Sequence, residues 1–122
     1  MELQLRAMLQ AALPGVVVDW GWSAQGAVAP RVVLQVISGI TDYTQDGASG
    51  LESTRVQMDV YGASMAVVLG KAALIDAALS GFRGGVILGA FKAGRRSLPP
   101  DFGAGETLAR LSIDYMIHHK QE

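Results

Sequence analysis

The chain has 122 residues, half of them hydrophobic and 17% charged, with a net charge of −1. The absence of a basic surplus argues against free DNA as the main ligand, because phosphate neutralisation supplies most of a nucleic-acid binder's affinity. There is no cysteine, hence no disulfide framework and no thiolate metal site.

The length suits one domain spanning residues 1–122. Low charge and positive mean hydropathy suggest that partners cover part of the surface. No apolar run approaches the roughly 18–20 residues that span a bilayer, so no membrane association is expected. The start, MELQLRAMLQAAL, has an acid at position two and no basic region before an apolar core. It does not read as a signal peptide.

Glu2 to Leu13 reads as a first helix, with Leu5, Met8, Leu9 and Ala12 on one stripe and Pro14-Gly15 as its stop. Val16 to Ser23 alternates, with Val16, Val18, Trp20 and Trp22 on one face, and reads as a strand. Core packing is the favoured role for the two tryptophans, over a subunit contact. Ala24 to Pro30 reads as a loop.

Arg31 to Ser38 is a β-branched, apolar strand, with Val32, Val33, Val36 and Ile37. Gly39 to Gly50 is polar and glycine-marked. It is too long for a tight hairpin, whose loops run about 2–5 residues, and reads as a long loop. Glu52 to Tyr61 alternates strictly: Val56, Met58 and Val60 oppose Arg55, Gln57, Asp59 and Tyr61. That is the pattern of a half-buried antiparallel strand.

The period then changes from two to 3.6. Ser64 to Leu79 reads as a second helix with Met65, Val68, Leu69, Ala72, Ile75 and Leu79 on its buried stripe. Ser64 is a candidate cap and Ser80-Gly81 the exit. Val86 to Phe91 reads as a short strand. Gly94 to Gly105 reads as a second polar loop, holding Arg95, Arg96, Pro99, Pro100, Asp101 and Phe102. Thr107 to His118 alternates as the last strand, and His119 to Glu122 reads as a polar tail.

The order α-β-β-β-α-β-β predicts an α+β fold: a single-layer, mainly antiparallel sheet of about five strands, with two helices packed on one face.

Little in the sequence points to chemistry. His118 and His119 are neighbours on a strand, so their rings point to opposite faces and do not chelate one metal. A solvated tail is the simpler reading. No glycine pattern forms a phosphate-binding loop, and Phe82-Arg83-Gly84-Gly85 reads as a turn. The acids Asp42, Asp46, Glu52 and Asp59 sit in one hairpin, where carboxylates are usually solvated, so acid–base catalysis is not expected. Asp42, Asp46 and Ser49 lack the spacing of an EF-hand. Lys92, Arg95 and Arg96 form a basic cluster, either a solvated loop or a contact with an acidic partner or DNA.

One stretch carries a family resemblance. Ile37-Ser38-Gly39, Tyr43-Thr44-Gln45-Asp46-Gly47, Gly50-Leu51 and Arg55-Val56-Gln57-Met58-Asp59-Val60-Tyr61 occur in that order. The ordered set resembles the phage tail completion proteins, also called tail terminators, over roughly a quarter of the chain. The resemblance implies a structural virion protein, not an enzyme. It implies a homo-oligomeric ring of six subunits at the head-proximal end of the tail, assembled in the host cytoplasm. Such a ring ends tail-tube polymerisation and joins the tail to the head. The implied partners are further copies of the chain, the tail tube protein, the head–tail connector protein and DNA passing along the channel. No cofactor is implied. The expected contact residues are Asp42, Tyr43, Thr44, Gln45 and Asp46 in the first loop and Arg95, Arg96 and Phe102 in the second. The other class weighed against this one is a small α+β ligand-binding module or enzyme, which would need a pocket with convergent polar groups.

Overall fold

The computed structural model describes residues 1–21, 30–44, 47–101 and 108–120. Its elements are α1 (Glu2–Ala12), β1 (Val17–Trp20), β2 (Arg31–Thr44), β3 (Gly47–Gly62), α2 (Met65–Leu79), β4 (Ile87–Asp101) and β5 (Leu108–Lys120). The five strands form one sheet in the order β1-β2-β3-β5-β4. Every neighbouring pair is antiparallel except β1 and β2, which are parallel. The fold is α+β, with both helices on one face of the sheet.

Alternation decides which side chains meet the helices. Val56, Met58 and Val60 of β3 are fully buried, as are Ile113, Tyr115 and Ile117 of β5. Leu5 and Leu9 close the core from α1, and Val68, Ala72, Ile75 and Leu79 from α2. Gly15, at φ 78°, turns the chain out of α1. Arg6 Nε then donates to Val18 O at 2.8 Å and Trp20 Nε1 to Glu2 O at 3.1 Å, holding α1 against β1. Trp20 packs against the core as expected, while Trp22 and the loop at 24–29 lie outside the described residues.

The cap on α2 is present: Val67 N donates to Ser64 Oγ at 3.3 Å. Ser80 and Gly81, the latter at φ 75°, end the helix. The turn expected at Phe82–Gly85 lies slightly later, at Gly84–Ile87, where Gly84 N donates to Ile87 O at 2.9 Å and Ile87 N to Gly84 O at 3.0 Å, and Gln4 of α1 fastens it. Gln4 Nε2 donates to Gly84 O at 2.8 Å, and Gln4 Oε1 accepts from Val86 N at 3.0 Å.

Four readings from the sequence change. The long loop at 39–50 is strand: β2 runs on to Thr44 and β3 begins at Gly47, with pairs such as Tyr43↔Ala48 and Thr44↔Gly47. Its polar and glycine residues carry no apolar alternation that would mark a strand, yet the backbone pairing continues through Thr44↔Gly47. Likewise β4 reaches Asp101, with three irregular steps in its pairing to β5, so residues 94–101 are strand instead of loop. On α2, Met65 and Leu69 are 37% and 42% exposed, and the buried stripe is Val68, Ala72, Ile75 and Leu79. Finally, His119 belongs to no solvated tail. It sits in β5, 4% exposed, and shares a 2.8 Å hydrogen bond between Nε2 and Thr54 Oγ1.

Candidate assembly interface

The surfaces available for contact follow from where the sheet loses its neighbours. Among the described residues β1 flanks β2 from Arg31 to Leu34, and β5 flanks β3 as far as Leu51, which pairs with Lys120. Beyond these points the β2–β3 hairpin continues as an arm, four residues past β5 on the β3 side. At about 3.3 Å per residue this is a projection of about 13 Å. Asp42, Tyr43 and Thr44 are strand residues of this arm, and Gln45 and Asp46 lie outside the described residues.

The second expected contact region lies elsewhere. Gly62 of β3 pairs with Ala109, and Leu98 of β4 pairs with Arg110. The β4–β5 hairpin therefore points to the end of the sheet opposite the arm. The structure does not bring the two regions together in one chain. Phe102 lies outside the described residues.

The basic cluster is divided as well. Lys92 pairs in register with Tyr115, Arg95 with Ile113 and Arg96 with Ser112. Tyr115 and Ile113 face the helices, so Lys92 and Arg95 belong to the helix side and Arg96 to the opposite face. Lys92 Nζ meets Asp76 Oδ2 of α2 at 2.8 Å. Asp76 Oδ1 also accepts the Tyr115 hydroxyl. Burial, then the Asp76 hydrogen bond and its negative charge, push the Tyr115 hydroxyl well above the usual phenol range. This Asp76–Lys92–Tyr115 cluster ties α2 to β4 and β5. Only one clue to it stood in the sequence: Asp76 is the single acid in a helix whose one other charged residue is Lys71.

The sheet face away from the helices is polar and laced across strands. Arg31 lies over the Tyr61 ring at 4.6 Å, and Arg110 reaches the same ring at 6.0 Å. Arg55 pairs with Asp114 at 2.7 Å, and Gln57 Nε2 donates to Asp59 Oδ1 at 3.0 Å. Ser53 Oγ and His118 Nδ1 share a 2.7 Å hydrogen bond, with Phe91 edge-on to the imidazole at 5.6 Å. The cross-strand pairs among these, Gln57–Asp59 within β3 excepted, stabilise a sheet by about 0.2–1 kcal/mol each. Among the described residues no three His, Asp or Glu side chains are grouped to hold a metal ion, and no helix is long and apolar enough to cross a membrane.

No family model matches the sequence, and no curated protein matches it. Solved structures do. A chain of the virion of a native gene transfer agent particle superposes with a TM-score of 0.61 at 16% identity, over 98% of this chain and 89% of that one. The two chains share a fold.

On the helix side the exposed face of α2 is apolar. Met65, Val67, Leu69 and Leu74 are 37–44% exposed. Ala66, Val67, Gly70, Lys71 and Leu74 line a shallow groove of about 370 Å³ along it. Sequence periodicity missed this face because it placed Met65 and Leu69 in the core.

Proposed function

We propose that the chain is a structural subunit of a tailed phage, prophage or gene transfer agent, and not an enzyme. Copies form a ring, of six subunits, at the head-proximal end of the tail. The ring ends tail-tube polymerisation and joins the tail to the head, with the tail tube protein on one side and the head–tail connector protein on the other. DNA passes through its channel.

The observation that carries this reading is the end-to-end fold likeness to a chain of a gene transfer agent virion. The ordered motifs from Ile37 to Tyr61 support the tail-completion role in particular. So does the placement of two long hairpins at opposite ends of one sheet, since a joining subunit has to touch different proteins above and below. The arm, with Asp42, Tyr43, Thr44, Gln45 and Asp46, is assigned to one contact. Arg95, Arg96 and Phe102, on and beside β4, are assigned to the other.

The test is removal of the chain from a producing strain. DNA-filled heads and unjoined tails of uneven length are expected in electron micrographs, both corrected by supplying the protein in trans. Joined particles with tails of normal length would overturn the reading. Reversing Arg95 and Arg96 to Glu one at a time refines it, because the two side chains belong to opposite faces of the sheet. The contact-bearing one should lower joining, most at low salt.

A further inference from the structure

The face of the sheet away from the helices is where the basic residues collect. Register and alternation place Arg31, Arg55, Arg96, Arg110 and Lys120 on it, five of the ten Lys and Arg in the chain. Among the described side chains, the acids that the same register puts there are Asp19, Asp59 and Asp114. Each of them already has a partner. Arg6 Nη2 lies 3.7 Å from Asp19 Oδ1, Gln57 donates to Asp59, and Arg55 is paired with Asp114. Arg96 and Lys120 are exposed, and neither has an acid partner among the described residues. Arg31 and Arg110 flank the Tyr61 ring in one row across β2, β3 and β5. A net charge of −1 for the whole chain thus coexists with a basic excess on one face.

The bases form a row and not a pocket. Along β5 they stand at Arg110, opposite Ser112 as Arg96, opposite Met116 as Arg55, and at Lys120. That spread is ten residues of strand, about 33 Å. A single phosphate or carboxylate is held by donors that converge on one point. A row of this length fits a rod of repeating negative charge, and it matches about ten base pairs of duplex DNA at roughly 3.4 Å each. Four of the five bases are arginines, whose planar guanidinium matches phosphate oxygens two at a time.

We infer that this sheet face meets the phosphate backbone of duplex DNA. Contacts to phosphate carry no sequence information and let a protein and a duplex slide past each other. That the face lines the tail channel rests on the ring reading above, whereas the binding itself does not. Arg96 then belongs to the DNA contact, and Arg95, on the helix side, is the arginine left for joining.

The experiment follows the anisotropy of a labelled duplex of about 30 base pairs with the full chain, between about 50 and 200 mM salt. Native protein should bind and lose affinity steeply as salt rises. Arg96→Gln combined with Lys120→Gln should weaken binding about tenfold at the lowest salt and flatten the log–log salt slope by about two, since each phosphate contact contributes about 0.9. Lys71→Gln combined with Arg95→Gln removes the same charge from the helix side and should change affinity less than about twofold. Thermal melting within a few degrees of the native protein shows that each double variant folds. The single changes, each expected to shift the slope by about one, replace a double that does not. Equal weakening in both doubles would mean that overall charge and not this face is read, and the inference falls. It falls too if native protein does not bind the duplex at the lowest salt. The ring reading is then untouched, because unjoined heads and tails test it separately. If polyglutamate of matching charge displaces the duplex at equal concentration, the face is one for an acidic protein segment and the DNA contact is overturned.

Discussion

β3 and α2 make an instructive pair. Both are rich in apolar residues and both lie against the same core. In β3, polar residues alternate with apolar ones, and Val56, Met58 and Val60 are buried as the pattern requires. In α2, apolar residues run almost all the way round, so a period of 3.6 has no polar face to mark its phase. The fold buries Val68, Ala72, Ile75 and Leu79 and leaves Met65 and Leu69 exposed. An amphipathic pattern locates a buried face only when the opposite face is marked. A helix apolar on both sides is buried by its own chain on one side and keeps an exposed apolar face on the other.

The comparison breaks first at the buried stripe. Ile75→Ala should destabilise the protein by about 2–5 kcal/mol in denaturant melts, and Met58→Ala in β3 by a similar amount. If Ile75→Ala is neutral, the helix is turned about its axis from the position described here.

Tyr115→Phe should cost about 1–3 kcal/mol at neutral pH, because it removes a hydrogen bond to a charged acceptor beneath α2. It should also change the alkaline limb of stability. The folded-state pKa of Tyr115 is raised above the unfolded value of 10.0. Its contribution is therefore complete below pH 10 and is lost as pH rises beyond it. Native protein should weaken more steeply than Tyr115→Phe in melts above pH 10. Parallel curves for the two proteins would mean that the hydroxyl is ionised alike in both states.

Ser64→Ala should cost about 0.5–2 kcal/mol through loss of the cap on Val67 N. Helical content lost at the first turn of α2 would show in amide exchange at Val67 and Val68. The smallest effect belongs to Leu69→Ala, at 42% exposure. It should cost about 0.5 kcal/mol or less in the isolated subunit, as surface substitutions do. A cost equal to that of Ile75→Ala would restore the stripe read from periodicity.

The two long hairpins repeat the lesson with polar residues. From Gly39 to Gly50, and again from Gly94 to Asp101, the sequence carries turn-formers and charges, and both stretches read as loops. Both are paired strand on the backbone. Strand signals in a sequence depend on apolar alternation, and neither stretch carries it. Pro99 and Pro100 are tolerated because both fall in the irregular step of the β4–β5 pairing between Leu98 and Asp101, on an edge strand, where the register uses neither residue. His119 was hidden for the opposite reason. It lies on the buried side of β5, one pair beyond the apolar run, and its partner Thr54 is 65 residues away in sequence.

By itself the sequence determined the element order, the α+β class, the inward residues of β3 and β5, the stop after α1 and the cap of α2. Each of these is written in local pattern: alternation with marked faces, a proline–glycine break, a serine at a helix start. The parallel β1–β2 pairing, the phase of α2, the strand character of the arm and of β4, the division of Arg95 from Arg96 and the Asp76–Lys92–Tyr115 cluster were decided by the tertiary structure alone. All of them depend on which distant strand supplies the neighbour. Register with a partner, not the composition of a segment, sets which face a side chain takes and which charge it meets.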